Sequence, residues 1–175
     1  MSIRPIENAA VLADVSIEAI KSGLKTFKNA PHRLESIATI KGVEFVNDSK
    51  ATNVDSVVYA LGSYQQPLIW IAGGVDKGND YGLIKDQVKA KVKTLICLGK
   101  ENDKLRKAFN DVVPVIQETQ SIKELVQLAM KAAKEGDVVL LSPACASFDL
   151  FKNYEDRGNQ FREAVLELKK ELIKV

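Results

Sequence analysis

Short apolar runs and amphipathic helical periods alternate along this chain from residue 43 to its end. The apolar runs are strand-sized and rich in β-branched residues, which is typical of parallel strands that are buried on both faces. They predict strands at 43–47, 67–72, 94–98, 112–116 and 137–141. Repeated βα units of this kind indicate an α/β fold, in which a mostly parallel sheet carries helices on both faces.

A further apolar run at 36–40 precedes these strands, and the dipeptide Lys41–Gly42 between them has the composition of a tight hairpin turn. The first strand is therefore predicted to be an antiparallel addition at the edge of the sheet. This brings the predicted sheet to about six strands.

The helical periods also carry end signals. Ser121 and Glu124 have the spacing of a capping box, and Gly136 is predicted to stop the helix that they begin. In the first thirty residues, Ser16 is the predicted cap of a short amphipathic helix. Its apolar residues are Ile17, Ile20, Leu24 and Phe27.

Composition narrows the class of protein. The 175 residues are 46% apolar and 27% charged, with a net charge of +2, which is too mild to suggest a nucleic-acid or membrane-surface partner. No apolar run is long enough to span a bilayer, and the first ten residues lack the apolar core of a secretion signal. The two cysteines and single histidine predict no disulfide scaffold and no zinc site, which fits a reduced, cytoplasmic setting.

Three unusual loops follow predicted strands, at the edge of a parallel sheet where ligands generally bind. They cover residues 47–53, 73–80 and 142–149 and combine small residues with polar ones. Each loop taken alone is more often a plain connection. The last runs from a strand through small residues to a helix predicted to open near Ser147 and Asp149. It is either an anion-binding helix N-terminus or an ordinary capped helix.

Several side chains in these loops have two interpretations. Lys50 and Lys77 suit phosphate or carboxylate, whereas most other lysines lie on solvated helix faces. The hydroxyls and the carboxylate in the same loops bind a ligand or simply cap helices; these are Asp48, Thr52 and Ser147. The pair His32-Arg33 is a surface basic pair or a phosphate-binding one.

Other chemistries lack support in the sequence. A Ser-His-Asp triad would need His32, and no G-x-S-x-G turn surrounds Ser147. Cys145 as a nucleophile would require the same histidine or a cationic neighbour. The run GGVDKGND has neither the P-loop spacing nor a G-x-G-x-x-G pattern, so the sequence contains no phosphate cradle of its own.

Four motifs together resemble the C-terminal domain of the Mur ligase family. They are PHRLE at 31–35, NDSKATN at 47–53, GGVDKG at 73–78 and LSPACASFDLFKNYEDRG at 141–158. The NDSKATN and SPACASFD runs are similar to those of the branch that adds D-glutamate. The resemblance implies a Rossmann-like domain, cytoplasmic location and ATP-dependent addition of D-glutamate to UDP-N-acetylmuramoyl-L-alanine, with Mg²⁺, in peptidoglycan synthesis.

The resemblance also implies roles for individual residues. Lys50 would lie near the transferred phosphate. The residues expected to hold D-glutamate are Thr52, Lys77, Ser147, Phe148 and Tyr154. The residues expected to close over the nucleotide are His32, Arg33 and Asp48. No metal ligand is expected in this chain, and Mg²⁺ would be held mostly by domains that it lacks.

The same resemblance implies the domain organisation. Residues 1–30 would be the remnant of a central ATPase domain with its linker, and residues 31–175 the glutamate-binding domain. We therefore expect an isolated chain without ligase activity, because the nucleotide and sugar sites would be missing. The alternative is a stand-alone Rossmann-like module that binds an amino acid or nucleotide without catalysis.

Overall fold

The computed structural model describes Ser16, Glu18, Ala19, Ser22 and residues 30–173. The elements in chain order are β1 Glu35–Ile40, β2 Val43–Asn47, α1 Val54–Gly62, β3 Leu68–Ala72, a 3₁₀ turn Tyr81–Ile84, α2 Lys85–Lys91, β4 Val92–Leu98, α3 Asp103–Phe109, β5 Val115–Thr119, α4 Ile122–Ala132, β6 Val138–Leu141 and α5 Tyr154–Ile173. None of the helices in this described part is both long and apolar enough to cross a membrane.

The six strands form one sheet in the order β1-β2-β6-β3-β4-β5. β1 pairs with β2 antiparallel at one edge, and every other pair is parallel. The predicted hairpin is confirmed, since both Lys41 and Gly42 have positive φ, at 47° and 76°, as a primed two-residue turn requires. The sequence pattern thus predicted the sheet class and its antiparallel edge correctly.

Two apolar layers cover the sheet, one on each face. Helices α1, α2 and α3 pack on one face around Trp70, whose ring lies 5.3 Å from that of Phe109. Helices α4 and α5 cover the other face through residues such as Leu125, Phe161 and Val165. β3 is fully buried at all five positions because helices cover both of its faces.

The predicted strand at 112–116 is displaced by three residues, since β5 begins at Val115. The backbone N–H groups of Val112 and Val113 both donate to the carbonyl of Phe109 at the end of α3. These two N–H groups therefore complete the end of α3 instead of pairing with a strand. Pro114 has no N–H to give to the sheet, so pairing starts after it.

The predicted capping box and the predicted end of α4 are only partly correct. Ser121 caps the helix by accepting the Glu124 N–H at 3.3 Å, but the Glu124 carboxylate binds Thr119 instead of returning to Ser121. α4 ends at Ala132, before Gly136, which has a φ of 89° in the turn that leads to β6.

The chain divides into two units, Met1–Ala30 and Pro31–Val175. Most of the first unit, including the apolar residues of the predicted short helix, lies outside the described residues. Ser16 does accept a hydrogen bond from the Ala19 N–H at 3.2 Å, the bond expected of a capping serine. The assignment of this unit to a central ATPase domain stays a prediction.

Candidate functional site

Three loops meet at the carboxyl edge of neighbouring strands β2, β6 and β3. We call them loop 1 (residues 47–53), loop 2 (73–80) and loop 3 (142–153). Backbone hydrogen bonds join loop 3 to both of the others. The Ala144 N–H donates to Ala51 of loop 1, and Val75 of loop 2 exchanges two bonds with Ala146. The predicted convergence of these loops is therefore confirmed.

Arg157, on the first turns of α5, occupies the centre of this junction and is 1% exposed. Its guanidinium donates to the hydroxyl and carbonyl of Ser49, both at 2.9 Å, and to the carbonyl of Cys145 at 3.3 Å. Burial lowers its pKa to about 10, so the group stays charged at neutral pH. Arg157 was not among the residues predicted from the sequence, although it precedes the buried residues Phe161 and Val165 at helical spacing.

A cleft of about 330 Å³ opens between the three loops. Its lining contains all five residues predicted to hold D-glutamate, together with three that were not predicted, Ala146, Asn153 and Glu155. The five are Thr52, Lys77, Ser147, Phe148 and Tyr154. A larger cavity of about 480 Å³, bounded by Asp76, Lys104 and Asp149, contains none of the predicted site residues.

The helix predicted to open near Ser147 is absent at that point, because α5 begins at Tyr154. The Ser147 carbonyl accepts the N–H groups of Leu150 and Phe151, which makes a turn. The Asp149 carboxylate accepts the Lys100 N–H from the loop after β4, at 3.0 Å. Because no helix begins near Ser147, both alternatives for this position, an anion-binding helix N-terminus and an ordinary capped helix, are wrong.

The Thr52 hydroxyl does not cap a helix either. The N-cap of α1 is Asn53, whose side chain accepts the Ser56 N–H at 2.9 Å. At the start of α5, Asn153 accepts the Asp156 N–H at 2.7 Å. The capping interpretations of Thr52, Asp48 and Ser147 are therefore wrong.

The shape of loop 2 is fixed by the carboxylate next to Lys77. Asp76 accepts the backbone N–H groups of Gly78 and Asn79 at 2.7 and 3.1 Å. It also accepts the Tyr81 hydroxyl and the Lys104 ammonium, each at 2.8 Å. Because Asp76 holds the turn from both sides, Lys77 is exposed on a fixed backbone and faces the cleft.

Tyr154 links the cleft to the side chains predicted to meet the nucleotide. The Lys50 ammonium lies 5.2 Å from the centre of its ring, within the range of a cation–π interaction. The His32 ring meets it edge to face, with centroids 6.1 Å apart. The neighbouring Tyr154 side chain is the main cause that lowers the pKa of Glu155, at the rim of the cleft.

His32 is buried, and its Nδ1 lies 3.0 Å from the amide nitrogen of Asn47. An amide nitrogen can only donate, so Nδ1 is the acceptor and the proton resides on Nε2. Burial, followed by the positive charge of Arg162, lowers the pKa of His32 below 6.5. The imidazole is therefore neutral at pH 7.

Asp48 is also buried, and both of its carboxylate oxygens have partners. One accepts the Leu34 N–H at 3.2 Å, and the other accepts the Ser142 hydroxyl at 2.9 Å. Burial raises the pKa of Asp48 to about 6. Arg33, in contrast, is exposed. Of the three residues predicted to close over a nucleotide, Arg33 is the one with an accessible charge.

Cys145 has the surroundings of an inert thiol. It is 1% exposed and burial raises its pKa, while its Sγ lies 3.3 Å from the Tyr81 hydroxyl. A buried, protonated thiol is a poor nucleophile. The positive charge of Arg157 acts in the other direction, but burial is the larger cause, so the structure argues against Cys145 as a nucleophile.

The sequence of this chain is similar to those of known ligases. The family model described as "Mur ligase, glutamate ligase domain" matches residues 32–145. The UDP-N-acetylmuramoylalanine--D-glutamate ligase of Cytophaga hutchinsonii is 58% identical over 161 residues, which cover 92% of this chain and 36% of the relative. The enzyme of the same name from Porphyromonas gingivalis is 57% identical over 160 residues, covering 91% and 36%. The chain thus spans about a third of the length of the curated relatives it matches.

Solved structures agree on the fold. A pseudomurein peptide ligase type C from Methanothermus fervidus superposes with a TM-score of 0.60 at 21% identity, covering 92% of this chain and 34% of that one. The MurF ligase of Thermotoga maritima in complex with ADP gives a TM-score of 0.57 at 15% identity, covering 95% and 36%.

Proposed function

The chain belongs to the Mur ligase family, as its glutamate ligase domain, and from this membership we propose that it binds D-glutamate for an ATP-dependent ligase. The ligase would add D-glutamate to UDP-N-acetylmuramoyl-L-alanine in peptidoglycan synthesis, as the names of the relatives suggest. The observation that carries the proposal is the cleft whose lining includes all five side chains expected from the family's motifs. The two free, buried cysteines suit a cytoplasmic location.

The lining of the cleft suits an amino acid with two carboxylates. Lys77 and Thr52 would hold the α-carboxylate, with an ammonium and a hydroxyl as donors. Ser147, the backbone at Phe148 and Tyr154 would hold the side-chain carboxylate. Glu155 is the one carboxylate of this lining, and its negative charge suits the substrate's ammonium group.

The nucleotide would lie beyond Tyr154, where Lys50 and Arg33 are exposed. Arg33 would contact phosphate, Lys50 would lie near the transferred phosphoryl group, and Asp48 and His32 would line the ribose side. The acceptor's carboxylate would take the terminal phosphoryl group of ATP, which gives an acyl phosphate and releases ADP. This chain's residues would then orient the unprotonated D-glutamate amine for attack on that carbonyl, so that the amide bond forms while phosphate leaves and the amine loses a proton. Positioning and charge neutralisation are the main sources of rate in such a step.

Mg²⁺ would accompany ATP in this reaction. Within the described residues there is no group of three or more His, Cys, Asp or Glu side chains that could hold a metal ion. The sequence also contains no P-loop. We therefore assign the metal and most of the triphosphate contacts to the other domains of a longer enzyme, and we expect this polypeptide alone to release no phosphate above blank. Robust turnover by this polypeptide alone would refute the assignment of these contacts to other domains.

A titration of the ¹⁵N-labelled chain with D- and L-glutamate, followed by NMR, tests the proposal. We expect shifts at Thr52, Lys77 and Ser147 with D-glutamate and none of comparable size with the L-enantiomer. Lys77→Ala should abolish the response, whereas Lys100→Ala, an exposed lysine outside the cleft, should keep it. An equal response to both enantiomers would favour a generic binding module over a ligase domain.

A further inference from the structure

The turn that carries Arg33 has an unusual backbone. His32 and Leu34, on either side of it, have φ values of 61° and 42°. Residues with a Cβ avoid this left-handed region, because the Cβ comes too close to the following carbonyl oxygen. Arg33 between them is exposed, so the fold accepts two strained residues at the place where it presents a cation.

Hydrogen bonds from outside the turn hold this backbone in place. The His32 N–H donates to a Glu35 carboxylate oxygen at 3.0 Å, and the His32 carbonyl accepts the Lys50 N–H at 3.1 Å. The Leu34 N–H donates to Asp48 at 3.2 Å. Two carboxylates and loop 1 therefore fix the direction in which Arg33 projects.

Glu35 is in turn held by Arg162 on α5. The guanidinium binds both carboxylate oxygens in a fork, with nitrogen–oxygen distances of 2.9, 2.8 and 2.7 Å. Asn47 donates to the same carboxylate at 3.2 Å. Burial alone would raise the pKa of Glu35, but the bonds from Arg162 hold it below its usual value. The ionised carboxylate thus joins α5 to the strained turn.

We propose that Glu35 and Arg162 are a positioning pair, which presets the turn at residues 32–34 so that Arg33 is presented to the phosphates of a nucleotide. The inference rests on the proposed function, in which this edge closes over ATP. Its physical advantage is preorganisation, because folding already meets the cost of the strained backbone and a phosphate ligand does not have to. The competing explanation is a structural link between β1 and α5 with no effect on ligand binding.

The substitution Glu35→Gln separates these explanations because it is nearly isosteric. Glutamine has one acceptor oxygen where glutamate has two, and its amide would face the N–H donors of His32 or Arg162. If Glu35 acted only through its charge, its neutralisation would strengthen the binding of an anion. Loss of positioning predicts the opposite sign, a weaker affinity by roughly tenfold if one turn in ten is then competent.

The probe is inorganic triphosphate, titrated into the ¹⁵N-labelled chain while the backbone amide N–H groups of residues 32–34, which every variant retains, are followed by NMR. We expect a saturable shift in the wild type, none in Arg33→Ala, and weaker binding in Glu35→Gln. Arg162→Lys, which keeps the charge but loses the fork, should also weaken binding. Arg106→Ala removes an exposed arginine ion pair on α3 and should leave the affinity unchanged.

D-glutamate serves as the internal control, since the cleft does not include the turn. Its affinity should change by less than about twofold in both variants, which their melting temperatures must show to be folded. Triphosphate affinity equal to or above that of the wild type in Glu35→Gln would overturn the inference, as would parallel loss of both ligands. A wild type that responds to D-glutamate but not to triphosphate would instead overturn the nucleotide role in the proposed function, and the positioning role with it.

Discussion

Replacing Arg157 with alanine removes the side chain that joins all three site loops, and the size of the effect can be worked out from its contacts. The change would leave the buried carbonyls of Ser49 and Cys145 without these donors. A buried polar group left unsatisfied costs about 1–3 kcal/mol. The Ser49 hydroxyl also loses a partner at 2.9 Å. The bond to Gly73, at 3.5 Å, is too long to add much.

One contribution to the change in unfolding free energy has the opposite sign. Burial lowers the pKa of Arg157 to about 10, which means that the folded state bears a desolvation cost that alanine relieves. The net loss should therefore be smaller than the sum of the broken bonds. We expect about 3–5 kcal/mol of unfolding free energy, at the upper end for a single substitution. Since small domains are stable by about 5–15 kcal/mol, this is a large fraction of the total.

Urea unfolding followed by tryptophan fluorescence measures this loss directly. Trp70, the single tryptophan of the chain, is fully buried and reports on the core. Arg106→Ala is the matched control, because that arginine is half exposed and pairs with Glu118 on the surface. Such a pair is worth at most about 1 kcal/mol. If Arg157→Ala cost no more than this control, Arg157 would not be the group that holds the loops together.

Three further predictions test other parts of the structure. Burial raises the pKa of Asp48 from 3.8 to about 6, so its contribution to stability is full below pH 4 and is lost as the pH rises through 6. Between pH 4 and 7 the wild type should therefore lose roughly 1–3 kcal/mol relative to Asp48→Asn in urea unfolding, and parallel profiles would contradict this assignment. Gly158→Ala would place a Cβ 2.2 Å from the Nδ1 of the buried histidine and should cost about 1–3 kcal/mol. Gly62→Ala, with nothing within 4 Å, should be neutral or stabilising by about 0.5–1 kcal/mol in the same assay, and equal effects would refute the steric argument. Burial raises the pKa of Cys97 to about 12 and also raises that of Cys145, so a thiol reagent at pH 7.5 should label neither in the native protein and both in urea. Rapid labelling of the native protein would show that one of the thiols is accessible.

The elements that could be predicted from the sequence are those whose signal lies within a few residues. β2 was predicted at its observed bounds, because its apolar run ends where the polar loop 1 begins. The strand placed at 112–116 was wrong, since two of its residues complete the end of α3 through bonds to Phe109. A sequence window does not distinguish a valine that ends a helix from one that begins a strand.

The candidate site, too, could be predicted from the sequence only in part. Its location followed from a general rule, because loops after neighbouring parallel strands meet at one edge. The resemblance to a family then selected five residues, and all five line one cleft. Asn153 and Glu155 line the same cleft but were missed, because α5 was expected to begin near Ser147. That helix begins instead at Tyr154, where Asn153 accepts the Asp156 N–H, while the Asp149 carboxylate accepts the Lys100 N–H from a different loop.

The sequence by itself determined the alternation of strands and helices, the hairpin at Lys41–Gly42 and the edge at which the site lies. Each of these depends on side-chain periodicity or backbone preference, which act between near neighbours. Only the tertiary structure decided which groups hold the site together. Arg157 binds a serine 108 positions away, and Arg162 binds a glutamate 127 positions away. Buried polar groups need hydrogen-bond partners, and packing determines which groups are close enough to serve. These partners are far apart along the chain, so local sequence patterns do not reveal them.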